Sequence, residues 1–413
     1  MTDPIHRTID AVWRIESAKL IAGLARIARD VGIAEDLAQD ALLAALQQWP
    51  QSGVPDKPGA WLMATAKHRA IDLFRRNELL ERKHQELGQE TRQEVMPDLD
   101  AALDDPVGDD LLRLIFIACH PVLSTEARVA LTLRLLGGLT TDEIARAFLL
   151  PEPTVAQRIV RAKRTLSEAR VPFEVPRGPE LAARLSSVLE VLYLIFNEGY
   201  SATAGDHWTR PALCEDALRL GRIVAELVPD EPEVHGLVAL MEIQASRLGA
   251  RTGPSGEPIR LLDQDRGRWD QLLIRRGLSA LQRAERHDGA MGPYALQAAI
   301  AACHGRARTG GETDWARIAT LYDELAEVMP SPVVELNRAV AHAMAFGPAA
   351  GLALVDALMN DKALEGYHLL PSVRGDLLAR LGRLDEAREE FERAAALTRN
   401  ARERELLLRR ASD

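Results

Sequence analysis

"LTTDEIARAFLLPEPTVAQRIVRAKRTL", residues 139–166, holds a helix start, a break, and a second helix crowded with arginine. Thr140 and Glu143 have the spacing of a capping box. The Thr140 hydroxyl can accept from the Glu143 amide while the Glu143 carboxylate reaches back. Ile144, Ala147 and Phe148 then fall on one face at helical spacing, and Pro151 and Pro153 stop that helix. Thr154 and Gln157 repeat the capping pattern, which predicts a second helix from Thr154 through about Leu166. On it Val155, Ile159, Ala162 and Leu166 are spaced to face a core. Gln157, Arg158, Arg161 and Arg164 occupy much of the opposite arc, with Lys163 at its edge. Helix, short turn, basic helix is the grammar of a helix-turn-helix, whose second helix can put Arg and Gln against base edges and phosphates. An ordinary helical hairpin with a solvated basic face fits the same spacing.

The chain around this stretch is acidic, with a formal net charge of −10 over 413 residues. The charge is uneven. Residues 57–83 carry seven basic and three acidic side chains, and residues 154–170 carry five and one. Residues 84–110 between them carry one basic and nine acidic. Two basic patches joined by an acidic strap leave nucleic-acid binding open despite the overall sign. Hydrophobic residues make up 47% and aromatics only 4%, so the cores are built of Ala, Leu, Ile and Val. That composition and the lack of an alternating Val/Ile/Thr run predict an all-α chain. No apolar run has transmembrane length, and the start "MTDPIHRTIDAVWRIE" is polar, so neither a leader nor a membrane partner is expected. Cys119, Cys214 and Cys303 are widely spaced with no CxxC pair, which suits a reducing cytoplasm. Cys119-His120 lacks two further ligands for a metal and reads as a buried thiol beside a turn histidine. No phosphate-binding glycine loop, nucleophile elbow or HExxH occurs, so neither catalysis nor a cofactor is expected.

Two N-terminal segments add to the helix-turn-helix. "EDLAQDALLAALQQW" (35–49) reads as a helix with Leu37, Ala41, Leu42 and Ala45 on one side and Asp36, Gln39 and Asp40 on or beside the exposed arc. A Pro/Gly loop follows (50–59). "AWLMATAKHRAIDLFRR" (60–76) reads as a helix with Trp61, Ala64, Ile71 and Phe74 apolar and Lys67, Arg69, Arg75 and Arg76 basic.

Taken in order, these segments resemble an extracytoplasmic-function (ECF) sigma factor of the sigma-70 family. "EDLAQDALLAAL" is similar to the family's polymerase-binding helix, "PGAWLMATAKHRAIDLFRR" to its promoter-melting segment, and residues 126–166 to its −35-reading domain. The resemblance implies core RNA polymerase and promoter DNA as partners. Asp36, Gln39 and Asp40 match the surface that meets the basic coiled-coil clamp of the polymerase. Asp56 and Lys57 match the loop that captures a flipped −10 base, and Lys67, His68, Arg69, Arg75 and Arg76 lie in the −10 segment. Thr154, Gln157, Arg158, Arg161, Lys163 and Arg164 match the −35 recognition helix. The Lys67-His68 pair departs from the small polar residue or Asn that the family often has there. Pro153 and Ala156 stand where it often has Gly and Lys, which removes one phosphate contact. The acidic strap matches the linker that threads the polymerase; it reads equally as a solvated linker or as a polyanion mimicking nucleic acid.

Beyond the prolines of "VPFEVPRGP" (171–179), helical patterns run to the end, broken at 201–210, 250–268, 287–293 and 305–313. In 369–400, Gly375, Ala387, Phe391 and Ala394 have tetratricopeptide offsets. Residues 215–243 and 314–343 share the order helix, Val, Pro, helix, which suggests a degenerate repeat array. The expected organisation is therefore 1–83 (sigma region 2), 84–108 (acidic linker), 109–170 (sigma region 4) and 171–413 (a regulatory tetratricopeptide-like domain that offers a surface to a regulatory protein). A helix-turn-helix regulator or adaptor with a repeat array is the alternative; the clamp-like and melting-like segments speak against it. The stretch "YLIFNEGYSATAGDHW" (193–208), with Asn197, Glu198, Tyr200, Asp206, His207 and Trp208, reads either as a polar loop or as a ligand pocket.

Overall fold

The computed structural model describes residues 4–86, 107–148, 150–202, 208–254, 256–286 and 290–412, with side chains from Ile5 to Arg75 and again from Asp110. Most of the acidic strap (87–106), Leu149, and Asp206 and His207 of the polar stretch lie outside the described residues. Among the described residues there are eighteen α-helices and no strand; an isolated bridge pairs Thr252 with Pro258. The all-α expectation holds. The chain divides into two compact units, Met1–Val191 and Leu192–Asp413.

In the first unit, α1 (Pro4–Ala28), α2 (Val31–Ser52) and α3 (Pro58–Glu86) pack together. Asp30 caps α2 by accepting from the Ile33 amide at 3.0 Å. Ala34, Ala38, Ala41 and Ala45 are fully or almost fully buried; such small side chains allow close approach of helices. The rings of Trp49 and Trp61 meet edge-on at 5.3 Å and tie the end of α2 to the start of α3. Two local expectations need correction. Helix α2 runs through Pro50 to Ser52, so the loop before α3 is shorter than 50–59. A proline in the last turn costs only one ladder bond, and Gly53, at φ +83°, closes the helix by donating to the Trp49 carbonyl at 2.9 Å. On α3 the buried stripe is Leu62, Ala66 and Ala70, while Ala64 is exposed.

The same unit continues with α4 (Val107–Ala118), α5 (Thr125–Leu135), α6 (Thr141–Phe148), α7 (Glu152–Glu168) and the start of α8 (Pro179–Tyr200). The first capping box forms as the spacing requires: Glu143 N donates to Thr140 Oγ1 at 3.1 Å, and Thr140 N donates to Glu143 Oε2 at 2.8 Å. The second does not form. Helix α7 starts two residues early, with Pro151 as its cap residue and no side-chain cap. Proline's fixed φ and missing N–H suit a first helical turn, so the two prolines open the second helix as well as closing the first. Thr154 therefore sits inside the first turn. The stripe Val155, Ile159, Ala162 and Leu166 is buried as expected. Cys119 is buried against Thr132, with Sγ 3.4 Å from Oγ1. On α8, Arg184 donates to the Phe116 carbonyl at 2.9 Å and Ser187 to the Cys119 carbonyl at 2.7 Å.

The second unit contains the rest of α8 and then α9 (Pro211–Leu227), α10 (Pro232–Ala245), α11 (Gln271–Glu285), α12 (Pro293–Arg306) and α13 (Trp315–Val328). It ends with α14 (Pro332–Phe346), α15 (Pro348–Leu358), α16 (Leu369–Arg380), α17 (Leu384–Leu397) and α18 (Ala401–Ser412). Ion pairs bridge successive helices. Buried Glu242 on α10 takes Arg222 of α9 at 2.9 Å and Arg276 of α11 at 3.5 Å. Asp323 on α13 accepts from Arg338 of α14 at 2.6 Å, and Arg374 on α16 reaches Asp356 of α15 at 2.8 Å and Glu390 of α17 at 2.9 Å. A Cβ built on Gly375 would stand 2.8 Å from Phe391 Cε1 and 3.2 Å from the Ala387 carbonyl oxygen. The α16–α17 crossing thus has the small-against-aromatic packing read from the sequence.

Candidate nucleic-acid interface

The exposed arc of α7 is the clearest candidate site. Gln157, Arg161 and Arg164 are exposed, Arg158 is half-buried, and Thr154 is exposed at the helix start. A groove of about 370 Å³ runs along this face, lined by Ser124, Thr154, Gln157, Arg158, Arg161 and Thr165 among others. Two of its lining residues, Arg158 and Arg161, carry forked donors that fit guanine or a phosphate. Arg164 lies outside the groove, and its Nε makes an exposed ion pair with Glu168 at 2.6 Å.

The segments nearer the N-terminus occupy α2 and α3. Asp36 is exposed on α2; Gln39 and Asp40 are half-buried. Asp56 and Lys57 are exposed in the loop between α2 and α3. On α3, His68 and Arg75 are exposed and Lys67 is half-buried; Arg76 lies in the helix, but its side chain is outside the described residues. Arg69 pairs with Asp40 at 3.1 Å, joining one residue of the set expected at the polymerase clamp to one of the set expected at the −10 element.

Lys163 does not face the groove. It is ion-paired with Glu35 of α2, which also accepts from Arg134 Nε at 2.6 Å and Gln39 Nε2 at 2.6 Å. Glu35 is only 2% exposed. Burial pushes its carboxyl up, but Lys163 and Arg134 outweigh burial and hold it below the usual carboxylate range. Two further ties run the same way: Arg14 to Glu143 at 2.8 Å, and Arg26 to Asp110 at 2.9 Å. The α1–α3 group and the helix-turn-helix are thus clasped together by ions. A cavity of about 640 Å³ lies beside the clasp, lined by Arg26, Arg29, Asp30, Arg113, Lys163 and Arg170 among others. Glu35 and Arg134 escape sequence reading because their partners are 99 and 128 residues apart in the chain; neither belongs to a local motif.

A helix-turn-helix that shares one unit with a second helical group carrying its own basic face has the parts of a DNA-binding protein. Comparison with known proteins narrows the class. Residues 16–79 match Sigma-70 region 2, and residues 113–166 match Sigma-70, region 4. Residues 184–285 match a family of unknown function, DUF6596. The chain is 42% identical over 388 residues to the uncharacterized protein R00370 of Rhizobium meliloti (strain 1021), covering 93% of this chain and 90% of that one. It is 27% identical over 176 residues to the probable ECF RNA polymerase sigma factor SigI of Mycobacterium tuberculosis, covering 41% of this chain and 58% of SigI. It is 29% identical over 161 residues to the ECF RNA polymerase sigma factor SigK of Mycobacterium sp. (strain KMS), covering 37% of this chain and 80% of SigK. The chain belongs to the ECF sigma factors of the sigma-70 family, with a long helical C-terminal extension shared with the rhizobial protein. No helix among the described residues is long and apolar enough to cross a membrane.

Proposed function

We propose that the protein directs promoter-specific initiation by bacterial core RNA polymerase in the cytoplasm, and that its C-terminal array regulates this step in cis. The open groove along α7 is the observation that carries the reading. Thr154, Gln157, Arg158 and Arg161 would read the −35 element there, with Arg164 reaching it from the exposed arc outside the groove. Asp36, Gln39 and Asp40 would meet the basic clamp of the polymerase. Asp56 and Lys57 would take a flipped −10 base, and Lys67, His68, Arg69, Arg75 and Arg76 would follow the melted strand. Lys163 would join the −35 contacts only after leaving Glu35, so the clasped arrangement counts as a resting state in this reading.

The domains follow as 1–83, 84–108, 109–170 and 171–413. The interlock of Gly375 with Phe391 supports a tetratricopeptide-like character for the last of these, and its helical faces offer a regulatory protein a surface. The deciding experiment is in vitro transcription with purified full chain, bacterial core polymerase and a library of promoter fragments. Discrete starts sharing upstream elements support the reading. Tight DNA binding without polymerase and without initiation would replace it with a helix-turn-helix regulator. A comparison with residues 1–191 tests the cis role: unchanged output would remove it.

A further inference from the structure

The second unit holds a cluster of cations that promoter recognition does not use. Within the span of the family of unknown function, three arginines interleave with three aromatic rings. The guanidinium carbon of Arg251 lies 3.7 Å from the Tyr200 ring centroid and 5.5 Å from that of Trp208. That of Arg247 lies 5.7 Å from Tyr200 and 5.6 Å from Trp269, and that of Arg266 lies 5.0 Å from Trp269. Arg247 and Arg266 are each 8% exposed.

Among the described residues none of the three is ion-paired with a carboxylate. Glu198, at the end of α8, is taken by Arg210. Arg247 donates to the neutral Gln244 side chain. Arg266 donates to the carbonyls of His304 and Ala307, each at 2.9 Å, and to Thr313 Oγ1 at 2.8 Å. Glu312 exerts a distant pull on Arg266, but its Oε2 accepts the Arg308 amide at 3.0 Å. Among the described residues, the Nε groups of Arg247 and Arg251 and the indole N–H groups of Trp208 and Trp269 are buried without a partner.

The local potential is strongly positive. Burial, then Arg247 and Arg266, hold His304 down to about 3, so it stays neutral beside them. Cation–π contacts offset only part of the desolvation of a guanidinium, and buried charges are ordinarily paired. Here the missing partner has the sign of an anion. The forked N–H edges of Arg match phosphate oxygens, and several cations together suit a multiply charged group. Only a group a few ångströms across reaches side chains as enclosed as Arg247. Arg251, Tyr200 and Trp208 are half-buried and form the open side.

We propose that the second unit carries an anion-binding site centred on Arg247 and Arg251, and that its ligand is a small phosphate-bearing molecule. Tyr200 and Trp208, two described rings of the polar stretch, are part of the wall of this site. The function of the extension is then to read the level of such a molecule, a role separate from the DNA contacts of the first unit.

The test is thermal melting of the purified full chain against inorganic phosphate, pyrophosphate, ATP without magnesium, and polyglutamate, at ionic strength held constant with chloride. Tryptophan emission is read in parallel, since Trp208 and Trp269 line the site. The expected result is a saturable rise with pyrophosphate, about 5 °C at 100-fold excess over its dissociation constant, and none with chloride. A larger rise with ATP than with pyrophosphate identifies a nucleotide source; equal rises identify the bare phosphate. Arg251→Gln should weaken the response at least tenfold, whereas Arg275→Gln on the exposed face of α11 should leave it intact. If Arg251→Gln does not fold, Arg251→Lys keeps the charge, loses the fork, and should still weaken the response. No saturable change in either signal overturns the proposal, as does a response undiminished in both Arg251 variants. A response to polyglutamate alone also overturns it, in favour of an acidic protein partner.

Discussion

Lys163 on α7 is ion-paired with Glu35 on α2, one residue before Asp36, which the proposed function sets against polymerase. In the proposed reading, a cation placed for DNA is held by an acid on the helix placed for polymerase. The pair ranks above a surface ion pair because Glu35 is 2% exposed and also serves Arg134 and Gln39. Glu35→Gln should therefore have opposite effects on two measurements. Stability should fall by about 2–4 kcal/mol in urea denaturation, because two cations lose a buried partner. Initiation with core polymerase should rise, about tenfold for each 1.4 kcal/mol withdrawn from the clasp. A fall in both would mean that the contact only holds the fold.

The arginines of α7 should separate into two classes. Arg158 and Arg161 line the open groove, whereas Arg164 is held by Glu168 at 2.6 Å. Arg158→Ala and Arg161→Ala should each weaken binding of the −35 element in the polymerase complex by about 1–3 kcal/mol. A purely phosphate-bound member would lower the salt slope by about one. Arg164→Ala should cost less, and Glu168→Gln should strengthen binding slightly by removing a negative charge near the phosphates.

The capping box at the start of α6 is fully formed, and Glu143 also receives Arg14 at 2.8 Å. Thr140→Ala removes one acceptor for a first-turn amide and should cost about 1 kcal/mol in chemical denaturation. Glu143→Ala should cost more, since it severs the tie to α1 as well. Equal costs would mean that the Arg14 pair contributes nothing.

Where α16 crosses α17, a methyl group on Gly375 meets Phe391 at 2.8 Å. Gly375→Ala should destabilise the second unit by about 1–3 kcal/mol despite alanine's better helix propensity. The double change with Phe391→Leu should recover part of the loss, which a double-mutant cycle would measure.

His304 sets an acid limit on the second unit. Burial first, and then Arg247 and Arg266, hold its pKa at about 3. The unfolded chain binds this proton more readily than the folded one, so stability is complete at neutral pH. It is lost as pH falls through the ordinary histidine range toward the folded value. The loss approaches about 1.4 kcal/mol per pH unit for one proton. His304→Gln should flatten that limb in melts recorded between neutral and acid pH.

Much of the first unit was legible because its signals are local. The Thr140–Glu143 box and the stripe from Val155 to Leu166 need only a few residues of sequence to define them, and both formed. The start of α7 was misread because a proline that ends one helix can also begin the next. The stripe on α3 was misread because Trp61 and Phe74 are large and apolar, yet the buried line is Leu62, Ala66 and Ala70. The clasp on Glu35 joins residues that stand 99 and 128 positions apart in the chain, and the cluster around Trp269 draws Arg247 from a separate segment, so no local pattern marks either. Glu198, Tyr200 and Trp208 stood out as an unusual polar stretch, but the arginines that surround the two rings come from residues 247 and 251.

The three cysteines give the molecule a built-in clock. All are buried and free; burial raises Cys119 to about 11 and Cys214 to about 12, and raises Cys303 as well. Only thiolate reacts with alkylating reagents, so each sulfur stays silent until its surroundings open. Cys119 times the opening of the first unit, and Cys214 and Cys303 that of the second. Mass-resolved alkylation of the unmodified protein therefore reads how often each half breathes, with no engineered label, and whether polymerase or phosphate slows one half and leaves the other alone.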